Sequence, residues 1–344
     1  MALLQAEGWD LFPTNGATLA SFTGSGWNSG GTNELIISTS QQRNGSACVG
    51  LTSSNAFGFG ANLNLESASG TIAFGFAHKM ISHQSSSTSR RPAGLGVLAT
   101  TGESIILSYD KDVDKFTLWI DGVLIFTTTA FYTLGIYYFL ELTYNGGTGA
   151  YEMFVDGASV TSGTGSLTGV SFDRIGIYSG QGPGNSSSGQ VFFDDIYVSD
   201  GTRYGDIVVE YTFPDTDTVN ADWTPASGVD GFAMVDNAPP NPVQYIETST
   251  INDISDFDVA NPSATVFQVF GVMVTSVALR TGASVEEFNT RLISGASVGA
   301  GATNVAPQTT AAYRRDIFDT DPDTGIAWTP AGVNGLQVGV EKTT

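Results

Sequence analysis

The chain is poor in cysteine: Cys48 is the only one in 344 residues. It cannot close an internal disulfide, and secreted chains of this size ordinarily pair their cysteines, so the sequence points to a reducing compartment. Histidine is almost as scarce, with only His78 and His83. A catalytic triad or a zinc site draws on several convergent ligands, which two neighbouring histidines do not supply. Charge is thin as well. Only 14% of residues are charged, against about 25% in an average soluble domain, so hydroxyls and amides solvate much of the surface. The charge that exists has one sign: 34 acidic residues stand against 13 basic ones, for a formal charge of −21. Such a surface repels phosphate backbones and anionic lipids, which argues against nucleic acid as a partner. No stretch approaches the ~20 apolar residues of a spanning helix. Residues 1–7 (MALLQAE) lack the basic start and apolar run of a signal peptide. The chain is therefore expected to be made in the cytoplasm without membrane insertion.

Helical periodicity is nearly missing too. In residues 284–292 (SVEEFNTRL), Ser284 and Glu287 fit a capping box. The alternation of Phe288, Thr290 and Leu292 with Asn289, Arg291 and Ile293 fits a strand over 287–294 better.

What is present is β-sequence. Segments 71–80 (TIAFGFAHKM), 103–109 (ESIILSY), 116–120 (FTLWI), 136–144 (IYYFLELTY) and 191–198 (VFFDDIYV) are rich in β-branched and aromatic residues. Two hairpins turn on Asp121-Gly122 and Asp156-Gly157, the dipeptide that supplies the positive φ angles of a type I′ turn. Polar loops are predicted at 82–91 and 180–189. The fold class is all-β: two antiparallel β-sandwich (jelly-roll) domains, 1–200 and a smaller one at 201–344, with 207–211 (IVVEY) opening the second. Pro239-Pro240-Asn241-Pro242 reads as a rigid crossing within it.

The second part of the chain repeats a phrase. Asp215-Thr216-Asp217, Trp223-Thr224-Pro225-Ala226 and Gly228-Val229-Asp230-Gly231 return as Asp319-Thr320-Asp321, Trp328-Thr329-Pro330-Ala331 and Gly332-Val333-Asn334-Gly335. Neither copy carries an obvious reactive group. Asp319, Asp321 and Asp323 alternate as calcium ligands do, but Thr324 and Pro330 stand where a calcium loop needs Gly and Glu. A turn in which Asp side chains bond local amides explains both copies. Trp223 and Trp328 read as anchors of those turns. Asp110, Asp112 and Asp114 also alternate, with two lysines interleaved, and read as a charged hairpin turn.

The block YYFLELTYNGGTGAYEMFVDG, with Phe193-Asp194-Asp195-Ile196-Tyr197-Val198, resembles the concanavalin A-like, laminin-G-like jelly roll over roughly residues 1–200. Residues 201–344 resemble a module of tailed-bacteriophage structural proteins, on Gly205-Asp206-Ile207 with Val209, Trp223-Thr224-Pro225 and DPDTGIAWT at 321–329. The resemblance implies a virion structural protein: a capsid decoration, head fibre or tail appendage, located in the virion. It would partner other virion proteins and form a homo-oligomer. The alternative is a lectin-like module that binds host glycans, with exposed aromatics beside Asp or Asn on one rim.

Lectins of this type often hold calcium near the rim, which makes Asp194 and Asp195 the candidate metal ligands; no other cofactor is expected. Neighbours in a strand face opposite ways, so only one of the two is expected to face a site. Jelly-roll glycosidases place paired carboxylates along one strand. Here Glu141 has no partner two residues away, so the chain is expected not to be an enzyme. Trp27, Trp119, Tyr137, Tyr138 and Tyr144 are the candidate sugar-stacking aromatics, although in strands this dense most aromatics are expected to be core. Cys48 reads as a small buried hydrophobe.

Overall fold

The computed structural model describes residues 3–9, 27–29, 35–43, 45, 47–51, 57–68, 70–82, 94–99, 101–110, 113–180, 190–238, 240–241, 243–262, 268–307 and 311–344. The chain divides into two compact units, and the second runs from Glu210 to Thr344. The boundary falls after Val209, so residues 200–209 belong with the first unit and not with the segment that follows.

The first unit is an antiparallel sandwich. Its front sheet has the order Ala158–Thr164, Ala150–Val155, Tyr137–Asn145, Thr71–Ser82, Gln190–Ser199, Cys48–Leu51, Leu35–Ser38, and Leu3–Glu7 also pairs with Gln190–Ser199. Its back sheet has the order Val123–Thr127, Lys115–Ile120, Ser104–Asp110, Gly94–Ala99, Phe172–Gly180, Phe57–Ala68, Trp27–Ser29. Strand alternation divides each sheet into two faces. Phe74, Phe76, Leu140, Leu142 and Tyr144 of the front sheet are buried, as are Ile105, Leu107, Phe116 and Leu118 of the back sheet. Each buried large side chain of this kind stabilises the fold by ~1.5–3 kcal/mol. Both Asp-Gly turns form as read: φ is +49° and +75° at Asp121 and Gly122, and +48° and +78° at Asp156 and Gly157. Positive φ at both positions is the type I′ signature, and its twist matches that of the flanking strands.

The second unit is also antiparallel β. Five strands pair in the order Pro214–Ala221, Ile254–Val259, Gln337–Lys342, Glu287–Ser294, Ser297–Val305. Glu287–Ser294 is a strand, its Phe288, Thr290, Leu292 and Ser294 buried in alternation. A separate ribbon pairs Val272–Ala278 with Ala312–Phe318. Val274, Leu292, Trp328, Val333 and Leu336 form the core of this unit.

The repeated phrase is not a repeated structure. Asp215 and Asp217 lie in a strand, whereas Asp319 to Asp321 pass through an isolated bridge into a turn. Local amide bonding does recur: Asp217 accepts from Gly231 N and Phe232 N, both at 2.7 Å, and Asp321 accepts from Asp323 N at 2.9 Å. Trp328 is buried and donates to Phe318 O at 2.7 Å, while Trp223 is half-buried and donates to Asp253 O at 3.1 Å. Residues 207–211 form no strand; Arg43 and Asp195 hold Ile207 O and Val209 N instead.

Candidate functional site

The Asp194 and Asp195 carboxylates are buried. The strand Gln190–Ser199 breaks register with Thr71–Ser82 between Asp194 and Tyr197, and Asp195 has φ +49°. This bulge suspends the alternation that was expected to send the two side chains apart. Both reach Arg43: its backbone N donates to Asp194 Oδ2 at 2.9 Å, and its Nη1 donates to Asp195 Oδ2 at 3.0 Å. Val209 N donates to Asp195 Oδ1 at 2.9 Å, and Asp195 N to Asp194 Oδ1 at 2.9 Å. Arg43 also donates to Ile207 O and pairs with Asp206. A shell of N–H donors and a guanidinium suits an anion and does not fit a calcium ion, which takes oxygen ligands. Among the described residues no group of three or more His, Cys, Asp or Glu side chains is placed to hold a metal.

Glu141 belongs to the same face of the front sheet, and it has no exposed surface. Its Oε1 accepts from Tyr197 OH at 2.7 Å and Gly205 N at 2.8 Å, and its Oε2 from Arg203 Nη1 at 2.9 Å. Arg203 lies 3.9 Å from the centroid of the Phe154 ring. Burial, then the Glu141 charge, pushes the Tyr197 phenol well above its ordinary range. Residues 200–209 are thus a strap across the outer face of the front sheet, anchored by two buried carboxylates, Glu141 and Asp195. Removing one partner of a buried ion pair costs about 3–5 kcal/mol, so this cluster is a fastening.

Open chemistry lies at one end of the sandwich. Three connections meet there: the turn after Asp110, the loop 128–136 and the Asp156-Gly157 turn. Tyr132 N donates to Asp114 O at 2.9 Å, Gly135 N to Met80 O at 2.7 Å, and Phe139 N to Asp156 Oδ1 at 2.7 Å. Phe131 projects from this rim, 74% exposed. Lys115 Nζ sits 4.7 Å from its ring centroid. Behind it, Tyr132 packs on Phe116 and Tyr138, with centroids 4.3 and 4.9 Å away. Tyr138 OH accepts from Thr133 N at 3.0 Å, which fixes the loop. Asp114 Oδ1 accepts from Tyr109 OH at 2.7 Å, and burial, then the Asp114 bond, pushes that phenol up. Burial likewise raises Tyr132. The rim therefore has an exposed aromatic next to a packed Phe116–Tyr132–Tyr138 cluster, with Asp114 and Asp156 in the same group of loops.

The sequence candidates divide. Trp27, Trp119 and Tyr144 are core, with Trp119 packed on Ile106 and Tyr178. Tyr137 and Tyr138 are half-buried near the rim. His78 is buried within 5.4–6.3 Å of Phe76, Tyr109, Phe116 and Phe193. Cys48 is buried, and burial pushes its thiol up to about 12, so it is not a reactive thiolate. Asp110 is buried. His83, Asp112, Pro239, Pro242, most of the loop 82–91 and residues 181–189 lie outside the described residues. Phe131 was missed; its signal was an aromatic among Thr127, Thr128, Thr129, Thr133 and Gly135, in a turn-like stretch where no core strand needs one.

No protein family matches the sequence, and no curated protein is similar to it. Solved structures share the sandwich. An endo-β-1,4-glucuronan lyase of the fungus Trichoderma reesei is 12% identical, with 55% of this chain on 94% of that one and a TM-score of 0.39. A carbohydrate-binding module of Bacillus subtilis is 11% identical, with 51% on 96% and 0.34. A galectin of Caenorhabditis elegans is 14% identical, with 44% on 95% and 0.29. At this level the likeness concerns the fold alone. One expectation is corrected here: a lyase has this fold, so the missing carboxylate pair does not make the chain a non-enzyme. That pair serves one hydrolytic arrangement, while elimination begins with a single general base.

Proposed function

We propose that the first unit is a glycan-binding module that takes its ligand at the Phe131 rim. The observation that carries this reading is the exposed Phe131 ring, capped by Lys115, on a loop that also carries the packed Tyr132–Tyr138 pair and lies by Asp114. A sugar ring presents an apolar C–H face that stacks on an aromatic, and its hydroxyls donate to carboxylates. Tyr132 and Tyr138 are held before a ligand arrives, so little ordering is left to oppose binding. Lys115 acts as a positioning residue by restricting the Phe131 ring. In the finer form of this proposal the module is carried on a phage particle. The motifs of residues 201–344 support that form.

A glycan array with the full chain tests the reading, followed by titration of the best ligand. Binding that falls at least tenfold in Phe131→Ala supports it; tenfold corresponds to about 1.4 kcal/mol. Binding unchanged in that variant moves the site elsewhere, and an array without any ligand removes the reading. Quantitative mass spectrometry of purified particles tests the finer form, which fails if the chain is missing from them.

A further inference from the structure

The second unit holds 17 acidic residues and five basic ones between Glu210 and Thr344. Two of the five are spent on carboxylates: Arg291 Nε pairs with Asp256 Oδ1 at 2.9 Å, and Lys342 pairs with Glu286. Arg280 and Arg314 are different. Arg280 Nη1 donates to Ser284 O, and Arg314 Nη2 donates to Val305 O at 3.2 Å. Carbonyls orient these guanidiniums without cancelling their charge. Main-chain bonds gather them into one place: Arg280 N donates to Pro307 O and Ala306 N to Glu286 O, both at 2.9 Å. Leu279, Val285 and Val305 are exposed in the same segments. The result is an apolar patch bordered by unneutralised cations, in a unit that is otherwise strongly acidic.

The opposite edge of the five-stranded sheet carries the complement. Its edge strand Pro214–Ala221 slips register against Ile254–Val259 between Asp217 and Ala221. Within this irregularity Val219 is 99% exposed. Asp217 accepts from Gly231 N and Phe232 N, which draws the following loop onto the strand, and there Val229 is 86% exposed. Asp215 and Asp230 are exposed beside them. This is an apolar knob with an acidic border. Val305 belongs to the other edge strand, four strand spacings away, or about 19 Å. Knob and patch therefore do not meet within one copy.

We propose that the second unit self-associates head to tail, the Val219–Val229 knob of one copy seating on the Arg280–Arg314 patch of the next. The contact is heterologous, because patch against patch would oppose like charges. Heterologous contacts close into rings or run on as filaments. Apolar side chains fill the centre and arginine–carboxylate pairs the border, so the contact weakens as salt screens it.

Sedimentation velocity of the full chain over a concentration series, at low and high salt, tests this. Species larger than the monomer are expected at low salt, and they shrink as salt is added. The Arg280→Glu/Arg314→Glu variant and the Asp215→Arg/Asp230→Arg variant are each expected to sediment as monomers under the same conditions. Mixed, the two variants restore complementary pairs at every contact and are expected to co-assemble, which misfolded chains would not do. A native chain that is monomeric at every concentration overturns the proposal. So does association that survives both charge reversals, or a mixture that stays monomeric.

Discussion

At the scale of single residues, the first unit depends on an absent side chain. Gly75 lies directly between Glu141 and Tyr197 in the front sheet. A Cβ there would meet Tyr197 Cε1 at 2.5 Å and Glu141 Cγ at 3.0 Å. Only a bare backbone lets the phenol cross the strand to the carboxylate. Gly75→Ala is expected to cost ~1–3 kcal/mol, the usual penalty of overpacking, read as a lower urea midpoint. A second residue sets acid sensitivity. Burial pushes the Asp321 carboxyl up, but bonds from Ser294, Asp323 and Thr324 outweigh it and hold the group below its ordinary 3.8. A lowered folded pKa contributes stability that is present above 3.8 and lost as pH falls through the folded value. Asp321→Asn is therefore expected to lower stability at pH 7 and flatten the acid limb of the pH–stability curve. An unchanged limb would show that Asp321 adds nothing.

At the scale of elements, the strap matters most. Residues 200–209 follow the last strand of the sandwich and have no strand partner, yet they supply Arg203 and Gly205 N to Glu141 and Val209 N to Asp195. A fragment ending at Asp200 keeps every sandwich strand but strips Glu141 of two of its three donors. It is expected to be less stable than a fragment ending at Val209 by at least ~1.5–3 kcal/mol, the net worth of one charge-assisted hydrogen bond, because truncation removes several while opening Glu141 to water. Thermal denaturation of the two fragments decides this, and equal melting temperatures would make the strap ornamental. Elsewhere the elements follow their local sequence closely. The strands at 71–82, 115–120, 137–145 and 190–199 each sit within two residues of the runs that forecast them. Period-2 burial with β-branched and aromatic residues is a local property, and so is the Asp-Gly turn. The segment 207–211, read as opening the second unit, forms no strand; Ile207 O and Val209 N answer to Arg43 and Asp195 instead.

At the scale of the molecule, a charge of −21 works against close association of like copies. The proposed self-association therefore needs a local exception, the role given to Arg280 and Arg314. A head-to-tail assembly would present several Phe131 rims together, and weak single-site sugar binding would gain from the raised effective concentration.

The sequence by itself determined the β-class and the turns, because alternation and turn chemistry act over a few residues. It also determined the acidity of the chain. Tertiary structure decided what the acids and aromatics do. Asp194 and Asp195 read as metal ligands until a bulge turned both toward Arg43, and Glu141 read as a lone carboxylate until Tyr197 and the strap closed on it. Trp27, Trp119 and Tyr144, candidates in strands where most aromatics were expected to be core, are core, while Phe131 stayed exposed. Sequence runs state how apolar a residue is, but which face or rim it occupies depends on pairing partners tens to hundreds of residues away.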